Sequence, residues 1–177
     1  MMAFPRRAVL PVLLSALLGA LVAQPAQAEQ RRGKVVGVTD GDTLTLLDEQ
    51  RQQHRIRLDG IDAPERSQPF GQRARQSLAS MAHGREAVAE CPKTDRYGRP
   101  VCRVVVDGVD VGLEQVRRGL AWHYVRYARE QSPEARVEYA RAEQHARGER
   151  SGLWSYRDPT PPWDYRRAAR PADRDPS

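Results

Sequence analysis

Three short segments between residues 34 and 59 constrain this chain more than anything else in it. Lys34–Thr39, Thr43–Asp48 and His54–Asp59 are rich in Val, Ile, Leu and Thr, and each has the length of a strand. Asp40-Gly41 separates the first two as a tight-turn signal, and the polar run Asp48–Gln53 separates the second pair. Connections this short force neighbouring strands to run antiparallel. In the third segment, Ile56 and Leu58 face one side while Arg55, Arg57 and Asp59 face the other. A core therefore lies on one face and arginines on the other.

The pattern then changes. Ser67–His83 has helical spacing, with Ala74, Leu78, Met81 and Ala82 on one face and Gly84 as its stop. Arg85–Cys91 and Val101–Val106 are two more strands around the loop Pro92–Pro100. Gly112–Arg118 predicts a short helix with Leu113 and Val116 inward. Ser132-Pro133-Glu134 opens another helix, with an N-cap, a proline at its first position and an early carboxylate. This order predicts an α+β protein with a mainly β core: a five-stranded Greek-key barrel of OB type with about three helices. An α+β sheet with helices on one face is the alternative.

The two ends read differently from the middle. Arg6 and Arg7 precede an apolar stretch, Ala8–Ala23, that ends at Ala26-Gln27-Ala28. Basic, apolar and small-residue zones in that order predict a cleaved signal peptide over residues 1–28, hence an exported protein, periplasmic or secreted, with no membrane anchor after cleavage. Residues 29–156 would be the folded domain, and 157–177 a Pro-rich charged tail, poorly ordered or docked on the surface through Trp163 and Tyr165. Loss of the leader leaves 27 Lys+Arg against 23 Asp+Glu. That basic balance suits a polyanionic partner. No apolar run reaches the roughly 20 residues of a membrane span.

The chemistry concentrates in two places. Asp40-Gly41-Asp42-Thr43 opens the second strand and Asp62-Ala63-Pro64-Glu65 follows the third. In a meander the start of one strand lies beside the end of the next, so Asp42 and Asp62 can share one end of the barrel. Two carboxylates with carbonyls and water are hard ligands suited to calcium or magnesium. Asp95-Arg96-Tyr97-Gly98-Arg99 offers planar donors for phosphate oxygens, or else a solvated hairpin loop. His54, His83, His123 and His145 have no metal-ligand spacing.

These pieces together resemble the thermonuclease family, of staphylococcal nuclease type. The matching segments are Val38–Thr43, Arg57–Glu65, Asp95–Arg99, Gly119-Leu120-Ala121 and Ser151-Gly152-Leu153-Trp154, all in the family's order. The resemblance spans about residues 33–156. It implies a calcium-dependent endonuclease, a monomer, that cleaves DNA and RNA with little sequence preference and leaves 3′-phosphates. Asp42, Asp62 and the carbonyl of Ala63 would hold Ca2+. Glu65 would act on the attacking water, and Arg57 and Arg99 would hold the phosphodiester. Arg96 and Tyr97 would grip a neighbouring phosphate, and Tyr127 would contact a base or sugar. Trp122 is assigned to packing, Trp154 to the underside of the last helix.

Cys91 and Cys102 flank the second arginine-bearing loop and can face each other across its hairpin as a disulfide, which suits export. Two buried thiols are the other arrangement. The rival to catalysis is an OB module that binds extracellular nucleic acid without cutting it.

Overall fold

In a computed structural model, residues 29–169 are described; the leader assigned to residues 1–28 and the end of the tail, 170–177, lie outside them. The meander forms as expected. Strands β1 (Glu29–Val38), β2 (Thr43–Leu47) and β3 (Gln53–Leu58) pair antiparallel in sequence. Strand β4 (Ile61–Asp62) is short. Strands β5 (Glu86–Thr94) and β6 (Pro100–Val106) form the second hairpin, and β5 also pairs with β1. Parallel contact between β6 and β3, Arg57 opposite Val101 and Leu58 opposite Cys102, closes the five strands into a barrel.

Strand β7 (Val109–Asp110) extends β6 outside that circuit. Strand β8 (Trp122–His123) pairs with β4, setting Asp62 opposite Trp122. The barrel interior holds Val35, Leu44, Leu46, Ile56, Leu58, Ala89, Val104 and Val106, the alternating residues of its strands. Helix α1 (Gly71–Ala82) buries Ala74, Leu78 and Ala82 against it, while Met81 is only partly covered. Helix α2 (Val111–Arg117) buries Leu113 and Val116, capped by Asp110, which accepts from the amides of Gly112 and Leu113. Helix α3 (Pro133–Gly148) begins as its sequence predicts, with Ser132 as N-cap.

Four features differ from the sequence reading. β1 starts at Glu29, five residues earlier than expected, because Glu29–Lys34 pair with β5 although most of them are exposed. α1 starts at Gly71 rather than Ser67. Phe70 takes a left-handed φ of 66°, and the Gln68 side chain ties the turn before it to the amide of Glu65. The strands on either side of the second loop run on to Thr94 and from Pro100. Finally, a fourth helix, α4 (Pro162–Ala168), lies within the segment read as a tail.

Helix α4 is docked. Trp163 stacks on Tyr124 with centroids 5.4 Å apart and meets the edge of Trp122 at 6.3 Å. Beneath them sits a second apolar cluster of Trp122, Ala146, Leu153 and Trp154, which confirms the packing roles of both tryptophans. Gly119 and Gly152 make this corner possible. A Cβ on either would lie 2.2 Å from a carbonyl oxygen of the other's segment, so only glycine lets the two backbones meet.

Cys91 and Cys102 form a disulfide. Glu90 pairs with Arg103 and Lys93 with Val101, so Cys91 and Pro92 together oppose Cys102 in a bulge. The bulge accommodates Pro92, which has no N–H to give the ladder. Replacing both cysteines by serine is expected to lower stability by about 3 kcal/mol, the loop-closure value for so short a loop. Chemical denaturation of the oxidised wild type and the double variant measures it, and alkylation without reductant should label neither cysteine.

Candidate active site

One cleft of about 510 Å³ at the closed end of the barrel is lined by Asp42, Arg57, Asp62, Ala63 and Glu65 on one side, and by Arg96, Tyr97, Arg99 and Tyr127 on the other. All nine residues singled out in the sequence for metal, catalysis or substrate meet there. Asp40, Lys93, Tyr124 and Arg166 line it as well, and of these Lys93 and Arg166 carried no signal for the site in the sequence.

The acidic wall is set by the β1–β2 turn and by β4. Leu58 donates its amide to the carbonyl of Asp42, placing the start of β2 beside the end of β3. The Asp42 carboxylate accepts from the Ala63 amide at 2.8 Å and from the Thr43 hydroxyl at 3.0 Å. Gly41 is required here by space rather than by turn type. A Cβ would fall 2.6 Å from that of Ala74 and 2.7 Å from that of Ala63. Buried Gln115, on α2, donates to the carbonyls of both Gly41 and Ala74, each at 2.8 Å, and so locks the turn to α1.

Arg57 leaves the outer face of β3 and bridges the two aspartates. Its Nη1 lies 3.1 Å from Asp42 Oδ2 and its Nη2 3.0 Å from Asp62 Oδ1. Burial raises the pKa of Asp62, aided by the charge of Asp42, against the opposing pull of Arg166 and Arg57. Burial, then the charge of Asp42, pushes Asp40 up to about 6. Carboxylates gathered this closely favour a nearby positive charge. Arg166 of α4 supplies it, with Nη2 2.7 Å from Asp62 Oδ2 and Nη1 2.7 Å from Glu65 Oε1.

The donor chemistry fits a hard divalent cation, since Asp42 and Asp62 are buried carboxylates that offer hard oxygen ligands side by side. Among the described residues no group of three His, Cys, Asp or Glu side chains converges as a metal cage. Backbone carbonyl and water would therefore have to complete the shell.

The opposite wall is the β5–β6 turn. Gly98 donates to the carbonyl of Asp95, and Asp95 donates to that of Arg99, with Gly98 at φ 78°. This is a three-residue hairpin loop closed by a glycine bulge. The Asp95 side chain organises it, accepting from the amides of Tyr97 and Arg99 at 2.9 Å and from Arg99 Nε at 2.8 Å. Arg96 and Tyr97 are thereby left exposed, with the Arg96 guanidinium 4.9 Å from the ring centre. Tyr127 and Tyr124 meet edge to face at 5.0 Å on the cleft's third side.

A second cleft, of about 660 Å³, adjoins the first. Tyr97 and Arg99 line both, and Arg31, His54 and Arg55 line its far side. Positive charge thus continues past the β5–β6 turn, on the side away from the acidic wall.

Burial would raise the pKa of Asp95, but hydrogen bonds from the Arg99 and Tyr97 amides and the Arg99 side chain hold it below its ordinary 3.8. A depressed carboxylate contributes stability that is complete above its unfolded value and is lost as pH falls through the folded one. Asp95→Ala should cost about 1–2 kcal/mol at pH 7. The gap from wild type should close below pH 3.8, as thermal melts across pH 2–8 would record.

A family model described as staphylococcal nuclease homologue matches residues 55–156. The chain is 43% identical over 162 residues to Protein ParB of Escherichia coli, covering 86% of this chain and 88% of that one. It is 38% identical to a micrococcal nuclease of Shigella flexneri, over 86% and 89% of the two chains. An uncharacterized endonuclease of Haemophilus influenzae is 33% identical over 88% of this chain and 84% of its own.

Proposed function

Because the chain belongs to the family of staphylococcal nuclease homologues, and is therefore a hydrolase of nucleic acids, we propose that it is an exported, calcium-dependent endonuclease. It acts on DNA and RNA with little sequence preference and leaves 3′-phosphates. One observation carries the reading: Asp42, Asp62 and Glu65 face Arg99 across a single cleft, with Arg57 spanning the two aspartates. A module that only bound nucleic acid would gain nothing from carboxylates beside the phosphate.

Asp42, Asp62 and the Ala63 carbonyl would hold the calcium, which supplies Lewis-acid polarisation of the phosphate. The chain's own groups do the rest. Arg57 and Arg99 arrive oriented, each fixed by a carboxylate, and meet charge as it develops on the non-bridging oxygens. Their planar forks match phosphate geometry as lysine could not. Glu65 orients the attacking water.

Arg96 and Tyr97 hold the next phosphate, and Tyr127 offers a ring face that any base can meet, which accounts for weak sequence preference. The adjoining cleft with Arg31 and Arg55 carries the strand onward. Contacts of this kind are to the backbone and salt-dependent.

Purified chain lacking residues 1–28 should degrade single-stranded DNA and RNA in calcium and stop in chelator. Arg57→Ala, Arg99→Ala and Glu65→Ser should each lose about 10²-fold or more in turnover. Salt-sensitive binding without cleavage would point instead to the silent binding module. Export has its own check. Amino-terminal sequencing of protein recovered outside the cytoplasm should begin at Glu29, and an intact Met1 there would refute leader cleavage.

A further inference from the structure

We infer that Arg166 is the resident cation of the acidic wall: its guanidinium balances Asp62 and Glu65 when no metal is bound, and a divalent cation enters by displacing it. The C-terminal helix α4 thereby sets the affinity of the site for metal. This inference rests on reading Asp42 and Asp62 as the cation ligands.

Charge balance leads to it first. Arg57 alone spans Asp42 and Asp62, leaving Glu65 and part of the Asp62 charge without a partner. Arg166 meets that remainder. Its Nη1 reaches Asp62 Oδ1 at 3.2 Å and Glu65 Oε1 at 2.7 Å, and its Nη2 reaches Asp62 Oδ2 at 2.7 Å. Both carboxylate oxygens of Asp62 are then engaged by guanidinium groups. A cation ligated through Asp62 must take at least one of them, and guanidinium and cation cannot share it without repulsion.

The two partners differ in how easily they can let go. The Asp62 side chain is 1% exposed and fixed by the β4–β8 ladder, whereas that of Arg166 is 41% exposed. The arginine can swing to solvent at little desolvation cost, and the carboxylate stays where a ligand is needed. Arginine remains protonated at every working pH, so metal and not proton loss releases it.

Contacts other than this ion pair also hold α4. Trp163 is held by Tyr124 and Trp122, Tyr165 OH meets Ser67 Oγ at 2.9 Å, and Gln68 Nε2 donates to the Thr160 carbonyl at 3.1 Å. Trp163 and Arg166 are three residues apart on a helix and so share a face. Helix α4 can therefore stay in place while the arginine moves, keeping it close enough to return.

The test is calcium binding by calorimetry, without nucleic acid, to the wild-type chain, Arg166→Gln and Trp163→Ala, with Asp62→Asn as a control. Arg166→Gln should bind calcium more tightly, by about ten-fold, a coupling within the usual range for two ligands competing through one site. Its thermal midpoint should fall in chelator and recover in saturating calcium. Trp163→Ala, which loosens α4, should move affinity in the same direction by a smaller factor. Equal or weaker calcium binding by Arg166→Gln, with Asp62→Asn still abolishing it, overturns the role of Arg166 alone. Calcium binding by none of the proteins overturns the cation-site reading along with it.

Discussion

Everything at the working end of this protein hangs on the shortest pairing in the barrel, the parallel contact between β3 and β6. Only Arg57–Val101 and Leu58–Cys102 are in register. The amide of Asp59 adds a hydrogen bond to the Cys102 carbonyl, and that of Leu58 reaches back to Asp42. Leu58 points into the core while Arg57 points out, so one strand end closes the barrel and aims a guanidinium at the acidic wall. The same closure brings the β5–β6 turn, with Arg99, to face residues that precede it by more than thirty positions. Without it the two walls of the cleft would belong to separate hairpins.

Around that contact the electrostatics follow one plan. Carboxylates lie inside, bonded to backbone or buried, and guanidinium groups approach from the solvent side. The chain has just two lysines, Lys34 and Lys93, among 29 basic residues. Paired, planar donors account for this bias where they are seen. Arg57 and Arg166 each touch two carboxylates, and Arg99 takes Asp95 through two of its nitrogens. An ammonium could balance these charges but could not fix their relative orientation.

Much of this was legible in the sequence, and the physical reason is locality. The meander, α2 and the cap of α3 are written in residues a few positions apart, and so is the second turn. Asp42 and Asp62 could be placed together because a meander fixes which strand ends adjoin. The disulfide was one of two arrangements the hairpin allowed, and the bulge at Pro92 that seats it had no sequence signal. Contacts without a local signature were missed. Docking of the tail through Trp163 and Tyr165 was one of two expectations, but its helical form was not foreseen: α4 is seven residues long, follows two prolines, and is held by aromatic rings from elsewhere in the chain. Arg166 looked like one more charge in a charged tail, since its partners lie about a hundred positions earlier. The five residues added to β1 show little alternation and gain their structure from β5. Gly41 looked like an ordinary turn glycine, and only the packing of Ala63 and Ala74 shows why it cannot be larger.

The cystine has a further consequence, in the domain of reaction kinetics. Both sulfurs belong to the barrel's apolar cluster, with Cys102 fully buried and Cys91 nearly so. Thiol–disulfide exchange requires an attacking thiolate to reach one sulfur directly, and the folded barrel denies it that approach. The bond can be exchanged only when the β5–β6 hairpin opens. Its oxidation state is therefore fixed as the barrel closes, a lasting imprint of the surroundings in which the chain folded.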